Sequence, residues 1–100
     1  MSEQKPKHPT RVEGWNGTLE DLAEAIGSMR YDKVAEFVGY FARHAESEAE
    51  KDTADGKVRL PGKWFSASKL LYAVQEEYDS AWKISKPYMK EKEWFFSLQK

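Results

Sequence analysis

Apolar residues recur at intervals of three and four positions along three separate segments of this chain. The first stripe runs over residues 19–29, the second over 34–49 and the third over 67–84. This spacing is typical of helices that bury one side, and no segment alternates apolar and polar residues as a half-buried strand does. The pattern therefore predicts an all-α fold.

Start and stop signals bound these stripes. Thr18, followed by Asp21 three residues later, forms an acidic variant of the capping box and predicts a helix over 19–29. The other expected boundaries are an N-cap at Asp32 and a stop at Asp55-Gly56 for the second helix, and an N-cap at Ser66 and a stop before Pro87 for the third.

A loop of about ten residues is expected between the second and third helices, with Pro61-Gly62 as its turn. Trp64 and Phe65 are too bulky to remain in solvent, so this loop should fold back on the core. A last short helix over 91–98 would place Trp94 next to Phe95 and Leu98, and it needs tertiary support.

The chain has 100 residues, enough for one domain but not for two. Residues 1–14 are polar and contain two prolines, so they are expected to form a flexible tail, and residues 15–100 a single helical domain. The predicted architecture is a small antiparallel helical bundle. Two long helices pack together, the first helix lies across them, and the C-terminal helix covers one end.

The composition excludes several classes of protein. The chain has no cysteine, so it has no disulfide, thiolate metal site or thiol nucleophile, and it suits a reducing compartment. The N-terminus lacks the apolar core of a signal peptide, and no run of about 18 apolar residues could span a membrane. The expected location is the cytoplasm, without contact with a membrane.

The net charge of −1 is unevenly distributed. Residues 19–56 hold ten acidic and four basic residues, whereas residues 57–100 hold nine basic and five acidic ones. This asymmetry would let the two halves pack on each other, or let two copies pair head to tail. It does not form the single strongly basic surface of a nucleic-acid-binding protein.

One segment has the pattern of a helix-turn-helix corner. Leu22-Ala23-Glu24-Ala25-Ile26-Gly27 places a small residue for close helix crossing and a glycine for the turn. The next helix would be the recognition helix, but Asp32 and Glu36 would repel phosphates there. A tight helix–helix corner explains the pattern equally well, so nucleic-acid binding is disfavoured.

Carboxylates and histidines offer a weak metal-site hypothesis. His44 and Glu48 are one helical turn apart, but two ligands make a poor site and a surface pair is the commoner arrangement. The acidic pairs at 21/24 and 76/79 point partly away from their apolar stripes, unlike carboxylates that hold a metal inside a bundle. No catalytic residue, metal or cofactor is predicted, and an enzyme is not expected.

Glu77 is an unusual position because it falls within the apolar arc of the third helix, near Leu70, Val74 and Ile84. A buried carboxylate must be paired, hydrogen-bonded or protonated, and His44 is one candidate partner. Glu77 and His44 are therefore buried polar candidates. The alternatives for Glu77 are a structural contact that fixes helix register and a gap in the core where a ligand or a partner helix docks.

Large aromatic residues are concentrated in the C-terminal half and interleaved with lysines. Such residues are enriched in protein interfaces, and not all of them fit into one small core. The predicted partner-binding residues are Trp64, Phe65, Tyr88, Lys90, Trp94, Phe95 and Phe96.

Three classes of function remain. The first is a protein-interaction or regulatory module that binds another protein or a second copy of itself. The second is a nucleic-acid-binding regulator with a helix-turn-helix-like corner. The third is a carboxylate-based metal binder or small helical enzyme. The sequence favours the first class, mainly because it lacks the motifs of the others.

Overall fold

A computed structural model of the protein describes residues 8–89, and within them the chain forms three α-helices and no strand. Helix α1 spans Leu19–Gly27, α2 spans Tyr31–Ala54 and α3 spans Leu60–Ser85, and a 3-10 turn, Lys86–Tyr88, follows α3. The predicted all-α class is confirmed. The short helix expected over 91–98 and the first seven residues of the expected tail lie outside the described residues.

Helix α1 begins at the predicted capping box. The Thr18 hydroxyl accepts a hydrogen bond from the Asp21 amide at 3.0 Å, and the Asp21 carboxylate accepts one from the Thr18 amide at 3.4 Å. The Trp15 indole N–H donates to the Thr18 carbonyl at 2.8 Å and joins the preceding segment to this turn. The helix ends at Gly27, two residues before the predicted end.

Helix α2 begins at Tyr31 with Arg30 at the N-cap, so the prediction that Asp32 caps this helix is wrong. Asp32 lies inside the first turn, where its carboxylate binds the Arg30 guanidinium. At the other end, Gly56 has a φ of +82° and its amide donates to the Thr53 carbonyl. Glycine adopts this left-handed conformation without a Cβ clash, so the stop at Gly56 is confirmed.

Helix α3 begins at Leu60, so the predicted N-cap at Ser66 and the ten-residue loop are wrong. Pro61 lies in the first turn, where its missing N–H has no helical partner to lose. The α2–α3 connection is therefore only residues 55–59. Trp64 and Phe65 belong to the helix; Trp64 is half-buried and Phe65 is exposed.

Helices α2 and α3 pack along a seam of small residues on α2. The buried residues of α2 are Val34, Ala35, Val38, Gly39, Ala42, Ala45 and Ala49. None is larger than valine, so the helix backbones approach closely. At Gly39 a Cβ would clash with the side-chain amide of Gln75 on α3.

The contacts across this seam run in reverse order along the two helices. The Arg30 guanidinium lies 5.1 Å from the ring of Trp82, near the end of α3. Farther along α2, Gly39 lies against Gln75, and the Glu46 carboxylate accepts a hydrogen bond from the Tyr72 hydroxyl at 2.9 Å. The start of α2 thus meets the end of α3.

Helix α1 does not lie across the long helices as predicted. It contains no buried residue, and Leu19 on its apolar side is exposed. A connection of three residues, Ser28 to Arg30, joins α1 to the start of α2 at one end of the α2–α3 pair. Within the described chain, the α2–α3 pair therefore forms its packed core without α1.

Candidate functional site: an apolar face on the helix pair

Seven large apolar side chains on α2 and α3, tyrosines aside, are exposed; two of them, Leu60 and Phe65, lie near the start of α3, and the other five lie together outside the seam. Phe37 and Phe41 on α2 are 40% and 47% exposed, and their rings meet edge to face with centroids 6.2 Å apart. On α3, Leu70 is 69%, Val74 41% and Ile84 71% exposed. We call these five residues the apolar face.

These residues lie on one side of the helix pair. At about 100° per residue, Phe37 and Phe41 lie roughly 120° and 80° around α2 from its buried stripe. On α3 the seam side carries the half-buried residues Leu71, Gln75, Tyr78 and Trp82. The apolar residues of α3 in the face, Leu70, Val74 and Ile84, lie roughly 70–150° around the helix from that side, in the same rotational sense.

The hydrogen bond between Tyr72 and Glu46 identifies the other side. Both residues lie on the opposite flank of their helices from the apolar face, and the bond joins them across the seam. In a pair of helices that run in opposite directions, flanks that lie in the same rotational sense from the seam fall on the same side of the pair. The apolar flanks of α2 and α3 therefore share one side. Glu46 raises the pKa of the Tyr72 hydroxyl, mainly through this hydrogen bond.

Glu77 and His44 are both exposed, so the prediction that they are buried polar residues is wrong. The apolar arc that surrounds Glu77 in the sequence is not all core, because its outer part is the apolar face. At the helical repeat, Glu77 and His44 lie on the flank that carries the apolar face. They are among the polar groups that a partner docking on this face would meet.

The predicted aromatic cluster is not one surface among its described members. Trp64 and Phe65 lie in the second turn of α3, whereas Tyr88 lies beyond its end. A separation of 23 residues along a helix corresponds to roughly 35 Å. Tyr88 is 81% exposed and Phe65 is 43% exposed. The predicted Lys90, Trp94, Phe95 and Phe96 lie outside the described residues.

The α1–α2 corner lacks the packing that a helix-turn-helix unit requires. Ala23 is exposed, and a Cβ at Gly27 would meet nothing within 4 Å, so neither residue permits a close helix crossing. The small residues of the pattern therefore do not serve the role that suggested DNA binding.

Arg30 and Asp32 hold this corner through a bidentate ion pair. The Arg30 Nε and Nη2 atoms donate to the two Asp32 carboxylate oxygens at 2.6 and 2.9 Å. These bonds hold the pKa of Asp32 below its ordinary value and raise that of Arg30. The guanidinium also lies over the Trp82 ring, so one side chain connects the corner to both long helices.

Two further properties bear on the kind of site. No group of three or more histidine or acidic side chains within residues 8–89 is arranged to hold a metal ion. In the same part of the chain, the helices lack the long apolar stretch that crossing a membrane requires.

No protein-family model, curated protein or solved structure matches the chain. The geometry of the described residues is therefore the basis for proposing a function.

Proposed function

We propose that this protein is a protein-interaction module and that the apolar face is its binding surface. The observation that carries the proposal is the exposure of Phe37, Phe41, Leu70, Val74 and Ile84 on one side of a helix pair. The face is about 21 Å long, from Leu70 to Ile84 at 1.5 Å per residue, and about two helices wide. Its outline of roughly 400 Å² lies within the roughly 300–600 Å² of the largest apolar patch on a typical monomer, and such patches are often functional.

The energetics favour a partner over solvent. Transfer of one large apolar side chain from water into an interface stabilises a complex by about 1.5–3 kcal/mol when the side chain becomes fully buried. The five residues of the apolar face are already partly buried, so each contributes part of this amount. Together they offset a substantial part of the entropy that association costs.

The chemistry of the face suits a helical partner. Its residues follow helical spacing on two helices, which produces ridges and grooves that another helix can fill. Its polar groups, Glu77 and His44, would select a partner with hydrogen-bonding groups at matching positions. The proposal assigns the chain no catalysis.

Site-specific photo-crosslinking in the living cell tests this proposal. A benzophenone amino acid replaces Leu70 on the face in one variant and Val58 in another. Val58 lies in the α2–α3 connection and is 88% exposed, so it is a matched control away from the face. We expect protein adducts at position 70 and few at position 58. Equal adduct formation at the two positions, or none at 70, would refute the proposal.

A further inference from the structure

We propose that the partner of the apolar face is a second copy of this chain, and that two copies form a four-helix bundle. This inference rests on the proposed function, because it names the occupant of the same surface. Three properties of the described residues support it: the direction of the face, the lack of large buried side chains and the size of this side of the molecule.

The angle between the apolar side chains and the seam distinguishes a single partner helix from a pair of partner helices. A single helix that packs into the groove between α2 and α3 contacts each of them about 60° from the seam, as in a triangle. In a square bundle each helix meets its second neighbour about 90° from the seam. The apolar side chains lie on average roughly 100° from the seam on both helices. They therefore fit a second layer of two helices.

The helix pair lacks the large buried side chains of a helical core. Ala42, Ala45 and Ala49 are fully buried, but no large side chain in residues 8–89 is. Stable domains bury apolar surface between two packed layers of secondary structure, whereas α2 and α3 together form a single layer. Facing a second copy would place Phe41 and Val74 between two layers.

The size of this side of the molecule fits a dimer. Helix α3 has 26 residues, which corresponds to roughly 39 Å, and two adjacent helices are about 20 Å wide. The resulting area of roughly 700 Å² approaches the ~800 Å² that each partner contributes to a standard interface. The apolar face would form its centre, and charged residues at both ends its rim.

Sedimentation equilibrium of the full chain tests the inference. We expect a mass twice the 11.6 kDa of one chain. Leu70→Glu should raise the dissociation constant at least about 100-fold, because each dimer loses two apolar contacts and gains two carboxylates near Glu77. Val58→Glu should leave the constant unchanged. Since Leu70 is 69% exposed, the variant should keep its helical circular dichroism.

The outcomes separate this inference from the proposed function. A monomer at all concentrations overturns the second copy, whereas position-specific adducts with another protein would still support an interaction module. A dimer that Leu70→Glu does not weaken overturns the assignment of the interface to the apolar face. Loss of position-specific adducts of every kind overturns both.

Discussion

Enlarging a residue of the seam should destabilise the protein even though it adds apolar surface. Ala42 is 0% exposed and faces α3, so Ala42→Leu must place three additional carbon atoms between closely packed backbones. Overpacking of this kind costs about 1–3 kcal/mol. Leucine and alanine have similar helix propensities, so local helix formation contributes little to the difference. We therefore expect a lower free energy of unfolding.

Thermal unfolding followed by circular dichroism at 222 nm measures this effect. For a chain of this length, 1 kcal/mol corresponds to about 4–8 °C in Tm, so we expect a fall of roughly 5–20 °C. Ala73→Leu is the matched control, because Ala73 is exposed on α3 and the same change there should alter stability by less than about 0.5 kcal/mol. All samples need one protein concentration, since association makes Tm concentration-dependent. An Ala42→Leu protein as stable as the control would refute the close approach of the two helices.

Three other changes test separate parts of the structure. Thr18→Ala should speed amide hydrogen exchange in α1 by removing a cap of about 1 kcal/mol, and the main unfolding transition should persist because α1 has no buried residue. Asp32→Asn should cost about 0.5–1 kcal/mol in urea unfolding at pH 7. Because the folded-state pKa of Asp32 is lowered, this difference should shrink as the pH falls below about 4; a constant difference would contradict the ion pair. Gly56→Ala should lower the free energy of unfolding by about 1–2 kcal/mol because the φ of Gly56 is +82°. Gly62→Ala should raise it by about 0.5–1 kcal/mol, because a Cβ there meets nothing within 4 Å. Shifts of the same sign in the two variants would count against this account.

Features set by local chemistry could be predicted from the sequence. The capping box of Thr18 and Asp21 depends on residues three positions apart, and the stop at Gly56 depends on one residue's conformational freedom. The start of α3 could not be predicted in the same way. Pro61 is compatible with both a turn and the first turn of a helix, and in the structure it is a buried residue of the first turn of α3.

The apolar face was missed because a stripe shows that a helix side is apolar, not what covers it. The stripe of α2 includes Ala42, which is buried, and Phe41, which is 47% exposed. The width of the stripe does carry this information. Phe37 and Ala42 lie too far apart around α2 to face one neighbouring helix, so part of the stripe must lie outside the α2–α3 contact. The same argument explains Glu77, which is surrounded by apolar residues along the helix but is exposed in the structure.

The alanine-rich seam also affects how the protein would bind. Alanine has no side-chain rotamers to lose, so Ala35, Ala42, Ala45 and Ala49 fix the spacing of α2 and α3 at almost no cost in side-chain entropy. A partner would therefore meet two helices whose separation is already set before contact. Binding to such a preorganised surface loses less conformational freedom, and the benefit appears mainly as slower dissociation. The small buried side chains of the seam would thus influence how long a partner stays bound to the apolar face.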